Sequence, residues 1–389
     1  MSEVTSNGSR DLLNDAAPAA SARSPRRFFS TEIRLALAFA LGGRILFSAI
    51  AAVVAPRIHL DPQLVHSNSF TNGLISAYQG WRYAWLGSWQ RFDTLWYAHI
   101  AQHGYDLPDA MVFYPAYPAL IRFTRLPAIV AALLISTIAA FFFAWGLQRL
   151  VALDHEERVA KRVLLLYLAF PSGFILFAGY PESLLLACMV WAVYFQRSGN
   201  PLASAALALF SGATKAVGAV VFVPLIWIAL ARRRFSLVIA ALLALLPAAA
   251  MALLLNSRYH MTMNAVYVRY WGTQVSPPWE TLWAVRHSFD ALVGLNLMVL
   301  MFVVFAALIR RERAEYTAFV FAGALLLLTK QTEPLLQSTM RYVLALFPAF
   351  ISIARIFSRD RHFYAFAVVL FVGCELQVFA MFLGWRLIV

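Results

Sequence analysis

The sequence predicts an all-α polytopic membrane protein, a bundle of about eleven transmembrane helices with a long aromatic loop outside it. Three observations carry that expectation. Apolar residues make up 61% of the chain and charged residues only 13%, where a soluble domain carries roughly a quarter. Mean hydropathy is +0.69. The apolar residues also fall in unbroken runs of membrane-spanning length, not in the alternating pattern of a transmembrane barrel. A soluble globular domain is excluded.

The net charge of +13 does not point to nucleic acid, because the basic residues sit in short clusters between apolar runs, as positive-inside loops do. Lysine occurs only at positions 161, 215 and 330, an arginine-heavy usage expected of a GC-rich bacterial genome. Cys188 and Cys374 both lie inside apolar segments and offer neither a disulfide framework nor metal-ligand spacing.

The elements follow in chain order. Residues Met1 to about Ser30 are polar, lack an apolar core, and read as a disordered cytoplasmic tail with no cleavable signal. Residues 31–389 then form one transmembrane domain. Its first expected span, Ile33–Ala55, carries Arg44 in the middle, where a charge must pair or line a cavity. Glu375, deep in the last span, is a candidate partner. Further spans are expected at Ala128–Leu150, Val163–Gly179, Glu182–Gln196, Leu202–Thr214, Ala216–Ala231 and Ser236–Asn256. Four more follow at Phe289–Ile309, Tyr316–Thr329, Tyr342–Phe357 and Phe363–Trp385. Leu202–Thr214 reaches only about 20 Å and is expected to pair with its successor as a re-entrant hairpin.

Orientation follows from Arg and Lys. Nineteen fall in one set of short loops and twelve in longer loops on the other side, which puts the N-terminus in the cytoplasm. The long loops, Pro56–Pro127 and Ser257–Ser288, then face outward.

A loop as long as the first is usually functional or disordered, and its aromatic content argues against disorder. Along it Phe92, Trp96, Ile100 and His103 recur at helical spacing, with Asp93, Tyr97 and Ala101 on the adjacent stripe and Gly104 as a stop signal. The expectation is an amphipathic helix lying at the membrane surface, its aromatics among the headgroups. Asp93 opens that helix, either as a first-turn carboxylate complementing the dipole or as a general base at the water–lipid boundary. His99 and His103 have metal-ligand spacing, but no HExxH pattern accompanies them and no metal is expected.

Several stretches, taken together, resemble a known family. Phe92-Asp93-Thr-Leu-Trp-Tyr97 through Gly104-Tyr105 is followed by Phe113-Tyr-Pro-Ala-Tyr-Pro118. Next come Phe170-Pro171-Ser172 through Tyr180-Pro-Glu182-Ser183, then Gly212-Ala-Thr-Lys215-Ala-Val-Gly218. Tyr270-Trp271-Gly272 with Pro277-Pro278-Trp279, and Arg341-Tyr342 with Phe347-Pro348, complete the set. In order, spacing and membrane placement this resembles the PIG-V (GPI mannosyltransferase II) family and its bacterial relatives, of the GT-C superfamily. The resemblance spans roughly Arg44 to Phe350. Phe92 stands where the family usually has Trp, and Lys215 where it has Arg.

What the resemblance implies is a GT-C type bundle and an inverting hexosyltransferase, mannosyltransferase-like. It would move a sugar from a polyprenyl-phosphate donor to a lipid or glycan acceptor, without a cofactor. The site would face the outer side of a bacterial inner membrane. Asp93 matches the family's catalytic acidic residue. Glu182, otherwise an exposed turn residue, becomes a second catalytic candidate. Arg341, Lys215 and, more weakly, Arg122 become candidates for the lipid phosphate, where simple snorkelling is the ordinary reading of Arg341. Tyr97, Tyr180 and Trp271 become substrate-binding aromatics. From another class, a transporter or flippase of lipid-linked saccharides would share the architecture and buried charges. The lack of inverted repeats and the crowding of motifs in outward loops weigh against it.

Overall fold

The computed structural model describes residues 25–309, 312–357 and 361–386, so Met1–Ser24 of the expected tail lie outside the described residues. Nearly every ordered element is helical. Five helices are long and apolar enough to cross a membrane: Thr31–Arg57, Ala128–Val151, Phe235–Tyr259, Ala291–Ile309 and His362–Leu383. Four shorter apolar helices, Pro201–Thr214, Ala216–Arg232, Ala314–Leu328 and Phe347–Ile356, pack among them. The protein is membrane-embedded and all-α in architecture.

The helices are less continuous than the expected spans, and the reason is local. Val163–Gly179 is a helix, Glu157–Ala169, that stops before Pro171 and resumes only as a 3-10 turn at Gly173–Phe177. Proline lacks the N–H and clashes with the preceding turn. Tyr342–Phe357 splits into Thr339–Val343 and Phe347–Ile356, the second opening with Pro348 in its first turn. An unbroken apolar run reports burial, not helical continuity. Pro25–Val54 begins earlier than expected and takes in the last residues of the predicted tail.

Breaks in buried helices leave backbone groups that must be satisfied, and the two intramembrane charges serve them. Arg44 Nη1 donates to the Phe177 carbonyl at 2.8 Å and the guanidinium also bonds the Trp85 carbonyl. Its charge lies 4.7 Å over the Trp89 ring. Glu375 Oε1 accepts from the Phe174 N–H at 2.9 Å. Arg44 and Glu375 therefore do not pair with each other; both hold the 3-10 segment.

The ion pairs sort to opposite ends of the bundle. Helix Glu182–Ser198 spans about 25 Å at 17 residues. Near its C-terminal end Arg197 donates to Asp154 at 2.8 Å, and Arg313 approaches the same carboxylate at 3.4 Å. Glu312 accepts from Arg355 at 2.8 Å and meets His155 at 2.7 Å. All come from loops that the Arg tally assigns to one side. Glu182, at the N-terminal end, belongs to a separate cluster. A two-residue antiparallel ribbon, β1 (Gln274–Val275) with β2 (Lys330–Gln331), joins two loops beside it, in register Gln274 to Gln331 and Val275 to Lys330.

A candidate active site at one end of the bundle

The expected helix in the first long loop runs Asp93–His103 and ends at Gly104, whose φ of +79° suits the residue that terminates it. Its aromatics are packed inside the protein and not laid out among headgroups. Trp96, Tyr97 and Ile100 are 9%, 2% and 4% exposed, and the Trp96 ring stacks on Phe113 at 5.4 Å. Apolar residues recur around most of this helix, and only Gln102 and His103 at its C-terminal end are exposed. Phe92 enters it at φ +45°, a conformation costly for a bulky side chain. Phe92 holds that position by packing on Phe382 and Trp385 at 5.8 and 5.7 Å.

Asp93, the first helical residue, is drawn into an ion pair. Arg341 Nη1 donates to Asp93 Oδ2 at 2.7 Å. Arg341 comes from the short helix Thr339–Val343, whose preceding residue, Ser338, has a φ of +63°. Its guanidinium lies between two tyrosine rings, 5.3 Å from Tyr180 and 5.2 Å from Tyr342. On its other edge Nε is 3.4 Å from Glu182 Oε1, within ion-pair reach but without hydrogen-bond alignment. Glu182 Oε1 also accepts from Lys215 Nζ. Burial works against the Arg341 charge, but Asp93, Tyr342 and Glu182 outweigh it and hold the guanidinium well above its ordinary range.

Lys215 reaches the cluster because Gly212 and Gly218 let neighbouring backbone come close. A Cβ on Gly212 would meet the Ala244 carbonyl at 2.2 Å, and one on Gly218 the Ser211 carbonyl at 2.0 Å. The Lys215 ammonium sits 4.4 Å over Tyr342. Lys330, held by the β1–β2 ribbon, lies 5.1 Å over the same ring and 4.9 Å over Tyr267. Burial alone would raise the Tyr342 phenol, yet Lys330, Lys215 and Arg341 together bring it down to about 7. Reciprocally, burial lowers Lys330 while Tyr342 and Tyr267 carry it above its usual range.

These groups open onto one cavity of about 130 Å³. Of the residues expected from sequence, Asp93, Tyr97, Lys215, Trp271 and Arg341 line it. Glu182 and Tyr180 are 3% and 0% exposed and stand behind Arg341, so they hold it from the far side. Arg122 is exposed on the helix Ala116–Thr124 and is not brought to the cluster. His99 Nε2 meets Asp106 at 2.8 Å and stacks on Phe70 at 4.0 Å. No group of three metal-ligating side chains converges among the described residues.

Sequence reasoning gave no role to Lys330, Tyr267 or Tyr342. One signal was present for Lys330: in an arginine-rich chain with three lysines, two of them stand at this cavity. The arrangement places one carboxylate, three cations and aromatic faces around a small space, a set suited to taking a proton from a hydroxyl beside a departing anion. No protein-family model matches this chain, and no curated protein sequence does either.

Proposed function

We propose that this chain is an inverting membrane glycosyltransferase of GT-C type. Its motif order favours mannosyl transfer, and the chemistry below holds for any hexose. The donor is a polyprenyl-phosphate-linked sugar and the acceptor a hydroxyl of a lipid or glycan. The observation that carries the reading is the convergence of Asp93 with Arg341, Lys215 and Lys330 on one cavity at one end of the bundle. The positive-inside rule supports assigning that end to the outer side of a bacterial inner membrane.

In this mechanism Asp93 accepts the acceptor's proton as its oxygen attacks the anomeric carbon. The bond from that carbon to the phosphate oxygen breaks, and the electron pair leaves with the polyprenyl phosphate. The cations stabilise its growing charge. A single displacement inverts the centre. Tyr97 and Trp271 offer aromatic faces to the sugar ring, and Arg341 orients the Asp93 carboxylate. Glu182 sets the positions of Arg341 and Lys215.

The test uses protein purified in detergent, given polyprenyl-phosphate mannose and an envelope lipid extract as acceptor. Release of polyprenyl phosphate with a new glycosidic product is expected. Without a membrane there is nothing to transport across, so a flippase yields no product. If polyprenyl-phosphate mannose and its glucose and galactose counterparts all remain intact, the transferase reading fails.

A further inference from the structure

Strand β2 is a wall shared by two cavities. Successive side chains of a strand point to opposite faces. Lys330 lines the cavity that holds Asp93, and Gln331 lines a second one. Gln274, the partner of Gln331 in the ribbon, lines that second cavity too. Thr332 borders both. Its hydroxyl donates to the Pro334 carbonyl at 2.8 Å and accepts from the Gln337 N–H at 3.1 Å, which fixes the rim between the two spaces.

The two spaces differ in size and in charge. The first holds about 130 Å³, below the roughly 300–1,000 Å³ of ordinary ligand sites. The second holds about 360 Å³. Two carboxylates, Asp290 and Glu333, line it and no Arg, Lys or His does, so an anion is disfavoured there. Its polar groups are also uncommitted. Among the described residues the side chains of Gln274, Gln331, Glu333 and Ser288 make no hydrogen bond. Asp290 spends one oxygen on the Val293 N–H at 2.8 Å, at the start of Ala291–Ile309. An amide both donates and accepts, and a carboxylate accepts. Together they complement vicinal hydroxyls, each of which does both. A simple alcohol, with one hydroxyl, would leave most of these groups without a partner.

We propose that this second cavity is a subsite for a neutral sugar of the acceptor, whose reacting hydroxyl passes the Thr332 rim to reach Asp93. The acceptor is then a glycan or glycolipid, not a plain lipid alcohol. The proposal rests on the transferase reading only for the sugar's being an acceptor. Recognition of a neutral saccharide follows from the cavity's own lining.

The experiment measures binding to the full chain in nanodiscs by saturation-transfer NMR. The probes are α-mannobiose, cellobiose and chitobiose, with hexanediol as the alcohol control. At least one disaccharide is expected to bind at about millimolar affinity, and at least about tenfold more tightly than hexanediol. The Gln274→Ala, Gln331→Ala double variant should lose about tenfold. Glu333→Gln, which leaves the ribbon intact, should lose about threefold or more. Absence of binding by all three disaccharides, or equal binding of hexanediol, overturns the subsite. So does unchanged affinity in a folded double variant, or in Glu333→Gln where the double variant does not fold. Loss of binding on adding EDTA overturns direct recognition and assigns the carboxylates to a cation. The transferase reading fails separately, through lack of turnover in a wild type that still binds the disaccharide.

Discussion

Replacing Asp93 by Asn separates a catalytic carboxylate from a structural one. Asn keeps the size of Asp93, and its amide oxygen can still accept from Arg341 Nη1, now 2.7 Å from the carboxylate. The change turns a charge-assisted bond into a neutral one and leaves buried Arg341 with Glu182 as its remaining carboxylate, a loss of about 2–3 kcal/mol. The helix start is otherwise secure. Its first turn is closed by Thr94 N–H to Arg91 and Leu95 N–H to Phe92, at 3.0 and 2.9 Å, without the Asp93 side chain. Stability should therefore fall by that amount with the fold retained, while loss of the base should slow transfer by about 10²–10⁴-fold, or roughly 3–5 kcal/mol of barrier. The assay is turnover of polyprenyl-phosphate mannose at matched, monodisperse protein levels, with a thermal melt of each sample. An Asp93→Asn protein that still melts cooperatively and keeps more than about a tenth of the wild-type rate, with chemistry limiting, refutes general-base catalysis here.

Three further expectations follow from the same geometry. Glu182→Ala strips a counter-charge from part-buried Lys215 and buried Arg341 and should cost about 3–5 kcal/mol in reversible unfolding in mixed micelles, with Glu182→Gln milder; a loss below about 1 kcal/mol counts against a buried ionic lattice. The Tyr342 phenol, depressed to about 7 in the fold against about 10 when unfolded, stabilises the protein fully above the unfolded value and loses that contribution as pH falls through the folded one. Tyr342→Phe should therefore flatten the rise in stability across that window and abolish a tyrosinate absorbance transition near neutral pH; persistence of that transition assigns it to another tyrosine. Cysteines at the exposed positions Ser67 and Ser288 should label from outside intact cells, and those at Ser198 and Ser236 only after lysis; labelling of Ser67 and Ser236 from the same side rejects the topology.

Much of this molecule was legible because hydropathy and helix punctuation are local. The start of the Asp93 helix and its stop at Gly104 were both visible, and so was the helix at Glu182. The packing of the Asp93 helix was not, because an aromatic stripe looks the same against lipid headgroups as against Phe113 and Tyr117. The breaks at Pro171 and Pro348 were written in the sequence but masked by the apolar runs around them. Arg44 and Glu375 illustrate a different limit: each was recognisable as a buried charge, but its partner is a backbone group exposed by a helix break elsewhere. Lys330 depended on pairing between residues far apart in the chain, which no local pattern encodes.

That pairing has a consequence for how the two loops it joins tolerate change. Successive side chains of a strand point to opposite faces, so slipping Lys330–Gln331 by one position along Gln274–Val275 would turn the ammonium away from Tyr342 and put an amide in its place. With only two paired residues, the register has little redundancy. Only Thr329 separates Lys330 from the end of the helix Ala314–Leu328, so a single residue inserted there or inside the ribbon would move a charge from one face of the loop to the other.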